Sequence, residues 1–224
     1  MRMHQAGGRP APDVTIRGFE PRDAAAVHRI GADTAHFGDP VEAIMDDRQV
    51  FIDVFMRPYT THCPATCWVA EVEGQVIGYL TGCLDTAAFD PLFRRGLLRA
   101  AGRLLAGRYR VGRRTLRAGF GYLRELASRH PRADLAAYPA HLHINLSAPF
   151  RGQGIGRRLM LAYLDQCRAA GVLGVHLSTS ERNAAAVRLY RSLGFDVLHR
   201  YPAPYLSTVN RQAVEALIMG LRLA

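Results

Sequence analysis

A chain of 224 residues that is 49% hydrophobic and 21% charged has the makings of a globular domain with a full core, which excludes a disordered or fibrous protein. No apolar run approaches the roughly 18 residues needed to span a bilayer, and residues 1–12 lack the apolar stretch of a secretory signal, so the expectations are a mobile tail over 1–12, a single domain over 13–224 and a cytoplasmic location. The net charge is +10 and all 29 basic residues are Arg; twelve of them lie between Thr86 and Pro139 against Asp90, Glu125 and Asp134, so 12 − 3 = +9 belongs to that one segment.

Val14-Thr15-Ile16-Arg17 alternates as a short strand, and Pro21 with Asp23 opens a helix through Ala24, Val27, Ile30 and Ala32 that Gly38-Asp39-Pro40 breaks. A second helix is predicted over 44–56, acid-rich at its start and stopped by Pro58. Strands over 66–72 and 75–81 flank Glu73-Gly74 as a hairpin turn. Residues 91–129 read as helix, split at Gly107 and Gly112 and ended by His130-Pro131. Leu92, Leu97, Leu98, Leu104, Leu105, Leu116, Leu123 and Leu126 supply its apolar face and Arg residues the other.

The second half repeats the strand-to-helix pattern. Residues 141–146 alternate as a strand, with Leu142, Ile144 and Leu146 on one face and His141 and His143 on the other. A glycine-rich loop follows, then a helix over 159–170, a strand over 172–178, a helix over 183–193, and strands over 195–201 and 216–223. The order predicts one α/β (α+β) domain on a mixed sheet, with an Arg-rich helical insertion at about 86–139. Cys63, Cys67, Cys83 and Cys167 form no paired CxxC pattern, so free thiols are expected and no metal site.

The loop Arg151-Gly152-Gln153-Gly154-Ile155-Gly156 carries the chemistry. A strand that ends in a glycine turn and feeds a helix lets consecutive N–H groups converge on an anion, aided by the helix dipole. Arg151, Arg157 and Arg158 add formal charge nearby. Such a turn is either a phosphate or pyrophosphate cradle or a plain helix cap. It lacks the G-x-G-x-x-G of a dinucleotide site, and a P-loop needs a Lys that this chain does not contain.

Arg151-x-x-Gly154-x-Gly156 resembles the Q/R-x-x-G-x-G/A motif of the GNAT acetyltransferase superfamily. Asn183-Ala184-Ala185-Ala186-Val187-Arg188-Leu189-Tyr190, followed by Leu193-Gly194-Phe195, resembles that superfamily's N-x-x-A-x-x-x-Y…L-G-F signature. Within it, Tyr138-Pro139-Ala140-His141-Leu142-His143-Ile144 is similar to the acetyltransferase-like module of O-GlcNAcase and its bacterial relatives, although Asn145 stands where that branch leads one to expect Asp.

The resemblance implies a GNAT-like fold whose central strands splay to admit the pantetheine arm of acetyl-CoA. Leu146 and Ser147 would offer backbone hydrogen bonds to the acetyl and pantetheine groups. Arg151, Gly152, Gln153, Gly154, Ile155, Gly156 and Arg157 would hold the pyrophosphate, and Asn183 and Ala186 would border the arm. Tyr190 matches the general acid that protonates the leaving thiolate; His143 is the first candidate for the general base and Asp85 the second. The implied function is acetyl-CoA-dependent N-acetylation of an amine, either a small molecule or a protein lysine, by direct attack. A pseudo-acetyltransferase that binds the cofactor or a partner without transfer is the alternative. The insertion reads as a solvated helical face, a contact for an acidic partner or the CoA 3′-phosphate, or a nucleic-acid surface; the last is disfavoured because no nucleic-acid motif accompanies it. A monomer or homodimer is expected.

Overall fold

Alternating apolar residues give seven strands: β1 (Thr15–Gly18), β2 (Trp68–Val72), β3 (Gln75–Cys83), β4 (Ala140–Leu146), β5 (Gly174–Ser180), β6 (Asp196–Pro202) and β7 (Glu215–Arg222). In the computed structural model, which describes residues 13–223, they form one mixed sheet of order β1-β2-β3-β4-β5-β7-β6. Residues 1–12, expected as a tail, lie outside the described residues. Among neighbouring strands β4 and β5 alone run parallel, and they pair only at Ala140↔Val175 and His141↔His176 before parting. The expected splay of the central strands is present.

The helices are α1 (Ala24–Asp33), α2 (Arg48–Phe51), α3 (Arg57–His62), α4 (Thr86–Leu105), α5 (Arg113–Ala127), α6 (Ile155–Ala169), α7 (Ala184–Ser192) and α8 (Pro204–Asn210), with a π-helical stretch at Ile52–Met56 between α2 and α3. Strand alternation sends Ala70 and Leu80 to one face and Val69 and Tyr79 to the other. On the first face α6 buries Ile155, Leu159, Met160, Tyr163, Leu164 and Cys167, a stripe at helical spacing. On the second, Val27 and Ile30 of α1 pack with Met56. The Tyr163 hydroxyl donates to the carbonyls of Cys83 (2.8 Å) and His141 (2.9 Å), joining the ends of β3 and β4 beneath the splay.

Several boundaries differ from the sequence reading for identifiable reasons. Pro58 does not stop the second helix, because the π turn places it in the first turn of α3, where a missing N–H is tolerated. α4 begins at Thr86 and carries Pro91 inside it, since Asp85 caps the helix by accepting the Ala88 N–H at 3.0 Å. α8 has no counterpart in the predicted elements.

The leucine face of the insertion is a larger correction. Leu98, Leu105, Leu116, Leu123 and Leu126 are exposed, Leu105 at 90%. The residues that α4 and α5 bury are mostly small: Ala100, Ala118 and Gly121, with Phe89. Gly121 allows α5 to approach α8 so closely that a Cβ there would lie 3.0 Å from Cβ of Thr208. Close backbone approach through small residues leaves the longer side chains around an open apolar groove of about 460 Å³, lined in part by Leu97, Leu104, Leu116 and Phe120. The acids of the preceding segment hold the insertion down. Asp47 accepts the Arg110 N–H at 2.9 Å, and Asp53 accepts from Tyr109 Oη at 2.8 Å and pairs with Arg103. Asp47 and Asp53 are therefore engaged structurally.

Candidate active site

Once β4 leaves β5, the unpaired edge of β4 faces open space. Ser147 donates its N–H to Ile77 O at 2.9 Å. By the alternation of an antiparallel ladder, Leu146 and Ile144 then turn their N–H groups away from β3, into the gap. Leu146 is thus placed to offer an N–H to a ligand. Ser147 is not, because its N–H is already engaged.

This gap is a cleft of about 500 Å³ floored by the glycine loop and walled by α7. Gly152 and Gly154 both hold φ +77°, a left-handed conformation that costs a side-chain-bearing residue about 1–2 kcal/mol. Gly154 stands at the N-cap of α6, so the first N–H groups of that helix open toward the cleft. Gly156 faces the other wall: a Cβ there would lie 3.3 Å from Leu189 Cδ2 and 3.6 Å from Leu146 Cδ1.

The arginines divide in role. Arg151, Arg157 and Arg188 line the cleft. Arg151 Nε also donates to Leu146 O (3.0 Å) and Nη2 to Gly38 O (3.3 Å), which fixes the end of β4 against the 34–40 turn. Arg157 Nη1 reaches Ser192 O at 3.3 Å. Arg158 donates to Val14 O at 2.7 Å on the far side, so the charge expected from it is absent from the cleft. The Gln153 side chain caps Pro149 O at 3.0 Å, and the Ile155 side chain belongs to the core, leaving only backbone for either to present. Asn183 lines the cleft while its Oδ1 accepts the Ala186 N–H at 3.4 Å as the cap of α7; Ala186 lines it beside Tyr190.

Tyr190 is 6% exposed, and burial pushes its phenol up to about 12. Among the described residues its hydroxyl makes no hydrogen bond to protein, and the side chain borders the cleft. It is a protonated donor aimed at a ligand space.

The base candidates fare differently. Asp85 is exposed, caps α4 and does not line the cleft. His143 lies on the face of β4 opposite Leu146, where its Nε2 is 3.1 Å from Tyr59 Oη, and it does not line the cleft. Desolvation by the surrounding protein, and then His176, pull its pKa below the ordinary imidazole value even though the ring keeps an opening to solvent. His141 is more constrained: Tyr59 Oη at 2.6 Å and Thr86 Oγ1 at 2.8 Å occupy its ring nitrogens, and burial holds it well below the usual range.

A second cavity of about 380 Å³ adjoins the cleft and shares Phe37, Gly38, Asn145 and Asn183 with it. Phe37 has φ +53°, uncommon for a bulky residue; it sits in a tight turn closed by His36 and Asp39 N–H···O bonds of 3.0 and 2.9 Å. Asn145, the departure from Asp, donates to Tyr79 Oη at 3.0 Å. Ser178, Thr179, Tyr122, Glu125, Tyr201 and Tyr205 are among the other residues lining that cavity. None of these was singled out from the sequence for the site. Arg188 was within reach, since it stands in the same motif as Tyr190; Phe37 and Glu125 carried no local signal.

Residues 41–195 match the model of the Acetyltransferase (GNAT) family. A crystal structure described as SsHAT is 30% identical, with a TM-score of 0.70, over 95% of this chain and 100% of that one. Mycothiol acetyltransferase of Nocardiopsis dassonvillei is 44% identical over 64 residues, 26% of this chain and 19% of the relative. The ribosomal protein bS18-alanine N-acetyltransferase of Escherichia coli is 34% identical over 79 residues, 35% of this chain and 52% of the relative. The matches to these two curated relatives thus span about a fifth and about half of their lengths.

Proposed function

The chain belongs to the Acetyltransferase (GNAT) family, acyltransferases whose donor is acetyl-CoA, and from that premise we propose that it acetylates an amine by direct attack in the space where its two cavities meet. The observation that carries this reading is the parting of β4 from β5 after two paired residues, which opens a cleft between the α6 glycine loop and Tyr190. In this reading the pyrophosphate lies on the N-terminus of α6 beside Arg157, with Arg188 nearby. The pantetheine arm follows the free edge of β4 at Leu146 and passes Asn183 and Ala186.

The amine nitrogen bonds to the acetyl carbon as the carbon–sulfur bond breaks. The thiolate takes the Tyr190 proton, and the amine gives up one of its own. His143, two residues from Asn145 on the same strand face, accepts that proton through water. Burial and His176 lower its pKa, so it is a neutral but weak base that holds the proton only in passing before water carries it away.

The narrower kinship with the O-GlcNAcase acetyltransferase-like module rests on Tyr138 through Ile144. The single domain over 13–224, the insertion at about 86–139, a cytoplasmic location and a monomeric or homodimeric state belong to the same reading; no described helix is long and apolar enough to cross a membrane. The relatives are a mycothiol acetyltransferase and a ribosomal protein bS18-alanine N-acetyltransferase, so both a small amine and a protein amine are retained as acceptor classes.

Calorimetry with acetyl-CoA, followed by free-thiol release over a panel of amines and peptides, tests the proposal. Saturable binding with acceptor-dependent thiol release is expected. Binding without release on any acceptor selects the pseudo-acetyltransferase, and no binding overturns the donor assignment.

A further inference from the structure

The two adjoining cavities carry opposite charge. Every charged residue lining the donor cleft is an arginine, namely Arg151, Arg157 and Arg188. Among the residues lining the second cavity, Glu125 alone is charged. This carboxylate comes from α5, within the segment whose formal charge is +9. It is held in place: Oε2 accepts the Tyr205 N–H at 3.0 Å, and Oε1 lies 3.5 Å from His130 Nε2. The His130 ring stacks on Tyr201 with centroids 4.8 Å apart, and the Glu125 side chain is only 19% exposed. The rings of Phe55, Tyr122, Tyr201 and Tyr205 line the same cavity.

A fixed carboxylate with aromatic rings in one concave site attracts a cation through charge and through the negative faces of the rings. It repels an anion by the same means, and a site this sheltered screens neither effect fully. The arginines across the shared boundary complete the selection, since they favour the phosphates of the donor and disfavour a cation in the donor cleft.

We infer that Glu125 is the specificity-determining residue for the acceptor, selecting an amine on an apolar or aromatic skeleton that docks as a cation against its carboxylate, releases that extra proton to solvent before the neutral amine attacks, and carries no carboxylate of its own. The insertion thereby supplies one wall of the acceptor site. The inference rests on the reading of the second cavity as the acceptor side of an acetyltransferase, and it assigns Glu125 binding, not proton transfer.

Two probes differing by one carboxylate, 2-phenylethylamine and phenylalanine, test it by calorimetry on the CoA-loaded protein. 2-Phenylethylamine is expected to bind roughly tenfold or more tightly than phenylalanine. Glu125→Gln, which retains an oxygen for the Tyr205 N–H, is expected to weaken 2-phenylethylamine by about tenfold and to shrink the difference between the probes. The Kd for CoA and the Tm should not change, which reports an intact fold. Equal or tighter binding of phenylalanine by the native protein, no binding of either probe, or an unchanged Kd for 2-phenylethylamine in Glu125→Gln overturns the inference. Thiol release measured on the same proteins keeps the two readings apart. Glu125-dependent binding with no thiol release on any amine fails the transfer reading alone, whereas release on amines that is indifferent to Glu125 fails this inference alone.

Discussion

Asp46 and Thr115 hold each other reciprocally: the Asp46 backbone N–H donates to Thr115 Oγ1 at 2.9 Å, and the Thr115 backbone N–H donates to the Asp46 carboxylate at 2.9 Å. The same carboxylate oxygen accepts the Gly112 N–H at 2.9 Å, so an acid remote in sequence caps α5. Bonds from Thr115 and Gly112, together with Arg114, hold its pKa below the ordinary carboxylate range. Asp46→Ala is expected to lower Tm by a few degrees and to speed limited proteolysis within 106–112, because the first-turn N–H groups of α5 lose their acceptor. Unchanged cleavage there would show that the cap does not anchor the insertion.

Gly154 tests the cradle separately from the fold. Its φ of +77° and its place at the N-cap of α6 make a β-branched side chain both strained and intrusive, yet no atom lies within 4 Å of its Cβ position. Gly154→Val should therefore cost about 1–2 kcal/mol in stability and weaken acetyl-CoA by about tenfold or more. Thermal melting and calorimetry read the two effects independently. Native affinity in a strained, folded variant would move the phosphate site off this loop.

The strands of the second half were legible because β4 and β5 each end in a glycine-rich or polar run that leads into an amphipathic helix, and Leu142, Ile144 and Leu146 alternate without interruption. The glycine loop was legible for the same local reason. Three features were not. Pro58 gave a stop signal that the π turn at Ile52–Met56 overrides. The leucines of α4 and α5 gave an amphipathic pattern, but Ala118 and Gly121 make the close contacts. Phe37 and Glu125 reach the site from segments distant in sequence, and no periodicity encodes such a meeting.

Tyr190 presents a protonated hydroxyl without a protein partner to the donor cleft, so its removal should act on chemistry more than on binding. Tyr190→Phe keeps the ring against Phe195, 6.0 Å away between centroids, and should leave the acetyl-CoA Kd unchanged. Its kcat is expected to fall on the order of 100-fold. Free-thiol release under saturating donor measures this directly. Native turnover would assign the proton to water and return Tyr190 to packing.

Asp53 gives the insertion a pH dependence whose direction is fixed. Burial pushes its pKa up, but hydrogen bonds from Tyr109 (2.8 Å), Gln49 (2.8 Å) and Arg57 (2.9 Å) outweigh that and leave it below the ordinary value. A folded pKa below the unfolded one means that the ionised group stabilises the fold at pH above about 4. That contribution is lost as pH falls further, toward and through the folded pKa, when the carboxylate takes up a proton and Arg57 and Arg103 lose their partner. Both arginines are half exposed, so the solvent-screened effect of Asp53→Asn at pH 7 is set at about 1–2 kcal/mol, well short of a fully buried pair. The difference in Tm between native protein and Asp53→Asn should therefore be constant from pH 7 to about 5 and shrink below about pH 4. A difference that persisted unchanged to the lowest pH at which both remain folded would mean that Asp53 acts by shape and not by charge.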